Sequence, residues 1–265
     1  MVVLLLTGAI DISTFDVPST SLTNIQLRLS QYLSSISYAI DHYSKITHIV
    51  FCENTGFHYD YSGLKKRARL QGKQLEILSF KGDYSSIKLK GKGYGEGEII
   101  SYALKNSEIV RSCSVFYKLT GRVIIRNMDR VITKTSFENA FDYHQGKIYN
   151  REKDHIETIF FKANKDFYLK YLNDSYLEVD EGRFIYLEHL FYWRLKKLKL
   201  NSFPIYPRIS GQSGTTGKLY DKGVWERNLE RVYYFNGIHK IDKNIIEKTL
   251  AALFIFALTV WRKLK

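Results

Sequence analysis

The sequence predicts an α/β fold, a sheet flanked by helices, with a helical extension at the C-terminus. Three observations predict it. Residues 2–10 (VVLLLTGAI) are a short apolar run of the kind that forms a buried, parallel-type strand. Residues 24–43 place Ile25, Leu29, Leu33, Ile36 and Ile40 on one face of a helix that Thr23 or Asn24 can cap. Residues 47–52 are a second apolar strand. Strand, helix and strand in this order make a βαβ unit with a right-handed crossover.

The remaining elements follow with varying clarity. Residues 62–72 are a basic helix or turn carrying Lys65, Lys66, Arg67 and Arg69, and 75–80 are a third strand. A glycine-rich loop over 90–97 leads into a helix over 96–107, with Ile99, Ile100, Ala103 and Leu104 inward. A strand follows over 115–125. Residues 136–143 and 156–162 are strands or short turns, and 164–174 are helical. Residues 183–200 form a helix with Leu187, Leu190, Phe191, Leu195 and Leu198 in one stripe. Residues 201–223 are a Pro/Gly/Ser/Thr-rich loop, 225–237 fit either a strand or a helix, and 243–265 are helical. There is no internal repeat. The chain divides into 1–240 and a C-terminal apolar helix over 241–265.

The chain has 265 residues, 45% of them hydrophobic, which suits a packed core and excludes wholesale disorder. Cys52 and Cys113 match no metal or redox spacing and read as buried thiols in a reducing compartment. The apolar residues 2–6 lack a preceding basic segment, so they do not read as a secretory signal. A net charge of +13 calls for an acidic partner: nucleic acid, anionic lipid or a phosphorylated substrate. No nucleic-acid motif is visible, and the basic residues do not gather in one arm, so nucleic acid is not the expected partner.

Ligands of such sheets bind beyond the carboxyl ends of the strands. This places Asp11, Glu53 and Asn54 at a binding edge. The glycine loop fits neither a Walker nor a dinucleotide spacing. It is either a surface turn or a backbone that passes close to a sugar or nucleotide, with Gly93, Gly95 and Glu96 beside the ligand. Glu96 and Glu98 also suit the first turn of a helix on dipole grounds alone. Alternation puts Lys118, Thr120 and Arg122 on one strand face and Tyr117, Leu119 and Val123 on the other, with Gly121 between the cations. Two cations there suit a diphosphate, or else form salt bridges to Glu96 or Glu98.

Three segments carry a resemblance: GKGYGEGEIISYA at 91–103, FYKLTGR at 116–122 and SGTTGKLY at 213–220. Together they resemble bacterial surface-polysaccharide glycosyltransferases of O-antigen and capsule assembly, similar to the galactofuranosyltransferase type. The likeness spans most of residues 1–220. It implies a GT-A-like nucleotide-sugar fold, with Asp11, Glu53 and Asn54 at the base and ribose. It implies a nucleotide-sugar donor, UDP-galactofuranose among the candidates, and a lipid-linked glycan acceptor. It also implies a cytoplasmic protein, peripheral on an anionic inner membrane face.

One departure stands out. The family fold expects an Asp-x-Asp metal motif at the end of the strand after the helix, and Lys118-Leu119-Thr120-Gly121-Arg122 stands there instead. The expectation is a metal-independent enzyme in which Lys118 and Arg122 supply the positive charge, so no cofactor is expected. Asp129 is a weak candidate ligand. An inverting transferase needs a general base. Glu188 fits that position with His189 as its alternative, unless Glu188 is only a helix N-terminal acid; Glu178, Asp180 and Glu181 rank below it. Over 208–220, Arg208, Ser213, Gly214, Thr215, Thr216 and Lys218 suit a lid that folds over phosphates, or a plain mobile loop. Residues 250–261 are continuously apolar but too short to span a bilayer, which takes roughly 20 residues. Trp261, Arg262, Lys263 and Lys265 follow or end that run and suit a membrane interface, a core-packed or partner-docking helix being the other reading. A non-catalytic nucleotide- or glycan-binding subunit of a transferase is the alternative function.

Overall fold

Every residue of Val3–Gly8 (β1) is buried, which requires helices on both faces of the sheet. The structure, a computed structural model, describes residues 1–13, 21–146, 153–214, 216–221, 223–241 and 243–263. After β1 come Ile25–His42 (α1), His48–Glu53 (β2), Ser62–Leu70 (α2) and Gln74–Ser79 (β3). Tyr84–Lys90 (α3), Lys92–Asn106 (α4), Glu108–Ser112 (α5), Val115–Thr120 (β4), Val123–Ile125 (β5) and Met128–Lys134 (α6) follow. The second half adds Tyr143–His144 (β6), His155–Ile156 (β7), Phe160–Asn164 (β8), Lys165–Tyr171 (α7), Leu187–Leu195 (α8), Ile209–Gly211 (β9), Val224–Phe235 (α9) and Ile245–Lys263 (α10).

The main sheet runs β3-β2-β1-β4-β8. Its first four strands are parallel and β8 is antiparallel to β4. Side-chain alternation splits the core in two. Val3, Leu5, Val50, Cys52 and Phe116 pack toward α4, α5, α7 and α8. Leu4, Leu6, Ile49, Phe51, Tyr117 and Leu119 pack toward α1, α2 and α6. The predicted α/β class, the flanking helices and the C-terminal helix are all present. Asn24 caps α1, its side chain accepting from Leu27 N at 2.9 Å. Both cysteines are buried and free.

The structure corrects several local expectations. The glycine-rich stretch is not a loop: Gly93, Gly95 and Gly97 lie inside α4, which begins at Lys92 rather than at residue 96. Close packing explains the glycines. A Cβ at Gly97 would sit 2.2 Å from Tyr176 Cβ, and one at Gly93 would sit 3.2 Å from Leu187 Cβ. The strand predicted over 115–125 breaks after Thr120. Gly121 N donates to Thr7 O at 2.8 Å, and a Cβ there would lie 2.7 Å from that same oxygen. The chain therefore turns, and β5 leaves the main sheet to pair with β9, a short strand within the stretch expected to be all loop. The helix expected over 183–200 starts only at Leu187, because Phe184 takes a left-handed conformation (φ 57°) that ends the turn before it, and it stops at Leu195. Of the two ranges expected as strands or short turns, 136–143 is strand only at Tyr143, while 156–162 is strand at Ile156 in β7 and from Phe160 in β8. The undecided stretch 225–237 is helical.

Helices α9 and α10 meet through a small cluster of Tyr233, Ile238 and Ala251, with Phe254 and Ile255 against it. No helix among the described residues is long and apolar enough to cross a membrane.

Candidate functional site

Strand order reverses between β1 and β4, and such a switch point opens a crevice at the carboxyl ends of its strands. Thr7 pairs with Thr120 in register, so the segments after both strands emerge side by side. The N-termini of α4 and α8 and the 208–220 segment close around them.

Lys118 does not present its charge to the crevice, as a direct diphosphate contact would require. Its side chain is 0% exposed and forms an ion pair with Glu96. Its ammonium also donates to Thr158 O at 2.6 Å and Thr120 Oγ1 at 3.2 Å. Of the readings open in the sequence, the salt bridge to Glu96 is the one found. Thr7 Oγ1 donates to Glu96 Oε1 at 2.9 Å, and Thr158 Oγ1 donates to Glu188 Oε1 at 2.9 Å. A chain of polar contacts thus runs from β1 through α4, β4 and the segment before β8 to the first turn of α8. A buried network of this kind fixes geometry only when its members are satisfied.

Glu188 ends that chain, half-buried. Burial pushes its carboxyl above the ordinary glutamate range, and the nearby Glu157 and Glu181 carboxylates push the same way. The donors from its own backbone N–H and from Thr158 oppose the shift. His189 Nδ1 lies 3.2 Å from Phe184 O and 3.5 Å from Tyr186 N, closing the N-terminus of α8.

Arg122 follows the turn and leaves the face that alternation assigned to it. It donates to Gln31 Oε1 at 3.3 Å and lies 5.9 Å from the Tyr32 ring centroid. Its buried Nε has no hydrogen-bond partner among the described residues. Gly214 packs directly on the guanidinium, and a Cβ there would lie 2.2 Å from Arg122 Nη2. The 208–220 segment is therefore folded against Arg122. Gln31 Nε2 donates to Gln212 Oε1 at 2.9 Å, and Ser21 N donates to Gly214 O at 3.2 Å. Ser213, Thr216 and Lys218 make a tight turn, with Ser213 N on Lys218 O at 2.8 Å and Thr216 N on Ser213 Oγ at 3.2 Å. Lys218 and Arg208 are exposed. Thr215 lies outside the described residues.

The acidic edge residues have internal partners. Glu53 is fully buried, and its carboxylate accepts from Thr55 N at 2.8 Å, Phe57 N at 3.0 Å and the hydroxyls of Thr55 and Ser79. It clamps the loop after β2. Asp11 accepts from Ser13 N at 3.0 Å and Ser13 Oγ at 2.6 Å, and its own N–H reaches Thr55 Oγ1. Asn54 is buried and donates to Glu98 Oε2 at 3.3 Å, while its Oδ1 has no partner among the described residues. Gly95 lies against Asn54, where a Cβ would be 3.2 Å from Nδ2.

In the fold that the sequence resembles, an acidic motif at the end of this strand holds a divalent ion. Cations fill the position of the acidic motif, and among the described residues no group of three or more His, Cys, Asp or Glu could hold a metal. Asp129 lies elsewhere, accepting from Ser44 N at 2.9 Å and Lys45 N at 3.0 Å in the turn after α1.

Sequence reasoning missed four contributors. Arg28 is buried, and its guanidinium donates to the carbonyls of Ala9, Ile10 and Leu22, fixing the chain after β1. A cation on the apolar face of a helix was the available signal. Lys92, at the start of α4, is lowered by burial, with Glu181 and Glu188 drawing it back up and Arg122 adding to the lowering. Tyr220 is raised by burial and senses Glu157, Arg122 and Glu188. Thr158 links Lys118 to Glu188. No local pattern could have revealed the last three, because long-range folding assembles them.

No protein-family model and no curated protein matches the chain. Among solved structures it is similar to a nucleoside-diphosphate-sugar pyrophosphorylase from Vibrio cholerae RC9, at 16% identity over 76% of this chain and 90% of that one, with a TM-score of 0.42. It is also similar to HddC from Yersinia pseudotuberculosis, at 14% identity over 88% and 98% of the respective chains and a TM-score of 0.35. The bifunctional glycosyltransferase WbbM is matched at 9% identity over 77% of this chain and 38% of its own length, with a TM-score of 0.40.

Proposed function

We propose that the chain is a glycosyltransferase that moves a sugar from a nucleotide-diphosphate donor to a lipid-linked glycan during cell-surface polysaccharide synthesis, with inversion and without a metal. The observation that carries this reading is Glu188. Its carboxyl is raised by burial and hydrogen-bonded by Thr158, and it acts on the Lys92 ammonium, which also feels Arg122. A raised carboxyl base is better matched to neutral pH than an ordinary one.

In the proposed step the acceptor hydroxyl oxygen attacks the anomeric carbon and gives its proton to Glu188. The bond from that carbon to the diphosphate oxygen breaks, and the nucleoside diphosphate leaves with the electron pair. Arg122 stabilises the departing charge with help from Lys92. Lys118 acts behind them, holding Glu96 and the Thr158 carbonyl so that Glu188 is oriented. The 208–220 segment is the lid over Arg122. Residues 1–240 are the catalytic unit, and α10 brings it to an anionic membrane at the inner face of the cell.

The test is a thermal-shift screen of UDP- and other nucleotide sugars, followed by transfer assays on any donor that binds. A ligand that binds only the native state raises its apparent stability. The matching donor should stabilise the wild type, and Arg122→Gln should weaken donor binding about tenfold or more. Donor binding with neither transfer nor hydrolysis would favour a non-catalytic binding subunit. Transfer abolished by EDTA and restored by Mn²⁺ would overturn the metal-free step.

A further inference from the structure

A cavity of about 300 Å³ opens between α8 and α10, one turn further along α8 than Glu188. Tyr143, Tyr192, Lys196, Lys243, Lys248 and Ala252 are among its lining residues. The two tyrosine rings stack with centroids 5.5 Å apart. The Lys243 ammonium lies 4.4 Å from the Tyr143 ring centroid, and that of Lys196 lies 5.8 Å from the Tyr192 ring. Among the described residues no carboxylate lines the cavity. Two acids lie behind the lining, and both act on Lys243 from there. Asp154 accepts from Tyr143 Oη at 2.7 Å and Gly146 N at 2.9 Å, and Glu247 accepts from Lys240 and from Asn244 N at 3.0 Å. Burial lowers Lys243 to about 8, so its ammonium is still charged at neutral pH and, being partly desolvated, is favoured further by an incoming anion.

The helix that walls this cavity also presents apolar side chains to solvent. Leu253 is 60% and Phe256 69% exposed, next to the lining residues Ala252 and Ile255. Ile245, Ile246 and Phe235 are exposed as well. A cluster of three lysines whose lining holds no carboxylate among the described residues, bordered by exposed apolar side chains on α10, matches an anionic head joined to a hydrocarbon tail. A nucleic acid would match the lysines but leave Leu253 and Phe256 in water.

We propose that this cavity is a headgroup site for a phosphate-bearing lipid, the phosphate lying among Lys196, Lys243 and Lys248 while Leu253 and Phe256 enter the acyl layer. The site deepens the membrane reading of α10 given above and is independent of sugar transfer.

The test is flotation of the full chain with vesicles of phosphatidylcholine alone and of phosphatidylcholine mixed with phosphatidic acid. Wild type should float with the anionic vesicles and weakly or not at all with neutral ones. Lys196→Gln/Lys248→Gln, at exposed positions, should lose about tenfold or more in vesicle affinity. Lys66→Gln/Arg69→Gln, an equal charge change on α2, should lose far less. Equal loss in both pairs overturns the headgroup site in favour of diffuse attraction. Loss on Leu253→Ser/Phe256→Ser without loss on the lysine pair keeps α10 as a membrane contact and overturns the site. Binding of inorganic phosphate without vesicle binding, or no binding at all, overturns the site and the membrane reading together.

Discussion

The Lys118 ammonium and the Glu96 carboxylate form an ion pair between β4 and the second turn of α4, the lysine wholly buried and the glutamate a quarter exposed. The asymmetry predicts unequal roles. Glu96→Gln leaves a buried cation that still has Thr158 O and Thr120 Oγ1 but no counter-charge. It should cost about 3 kcal/mol or more, the scale for breaking a buried pair. Combining it with Lys118→Met should recover much of that loss. Urea unfolding of the two single variants and the double closes the cycle, and additive costs would show that the pair is not coupled.

Glu188 should set the acid limb of activity. A base works only when ionised, so the rate is present above its pKa and is lost as pH falls through it. Burial raises that pKa, so the limb should lie above the ordinary glutamate value of about 4.3. Thr158→Val removes a donor that favours the charged form and should move the limb further up. Glu188→Gln should lower kcat about a hundredfold or more with little change in donor affinity. A pH profile of kcat/KM for each variant checks this, and an unmoved limb in Thr158→Val would sink the assignment.

Gly97→Ala should destabilise the protein even though alanine is the better helix former by about 1 kcal/mol. Its Cβ would overlap Tyr176, and overpacking of this kind costs about 1–3 kcal/mol. Tyr176→Gly, which removes the clashing Cβ together with the ring, should relieve most of the clash when introduced alongside, whereas Tyr176→Ala, which keeps that Cβ, should not. Denaturant midpoints of the single and double variants decide it.

Asp142 should make stability fall as pH rises. It is buried, accepts from Phe203 N at 3.1 Å and from Tyr234 Oη, and is pushed up to about 8, chiefly by burial. Its folded pKa exceeds its unfolded value, so the folded state holds the proton more tightly. That contribution is complete below about pH 4 and is lost as pH rises through about 8. Asp142→Asn should flatten this slope. Urea midpoints at about pH 5 and about pH 8 measure it, and an unchanged slope would assign the titration to another group.

The sequence by itself determined the α/β class. An unbroken apolar strand, a one-faced helix and a second apolar strand have few ways to be buried other than a parallel sheet between helices. It also determined that Lys118 and Glu96 could pair and that residues beyond β1, β2 and β4 would share an edge, because side-chain alternation and strand polarity are local and directional. Tertiary structure alone decided the rest. The glycines of α4 look like a loop in isolation, and only the approach of Tyr176 and Leu187 reveals them as packing positions inside a helix. Lys118 and Arg122 look equivalent along the chain. The turn that Gly121 makes against Thr7 sends one charge into the core and the other to the crevice beneath Gly214. Thr158, Lys92 and Tyr220 reach the site from three distant segments. Which side chains meet across such distances is set by the packing of whole layers, and no local periodicity encodes it.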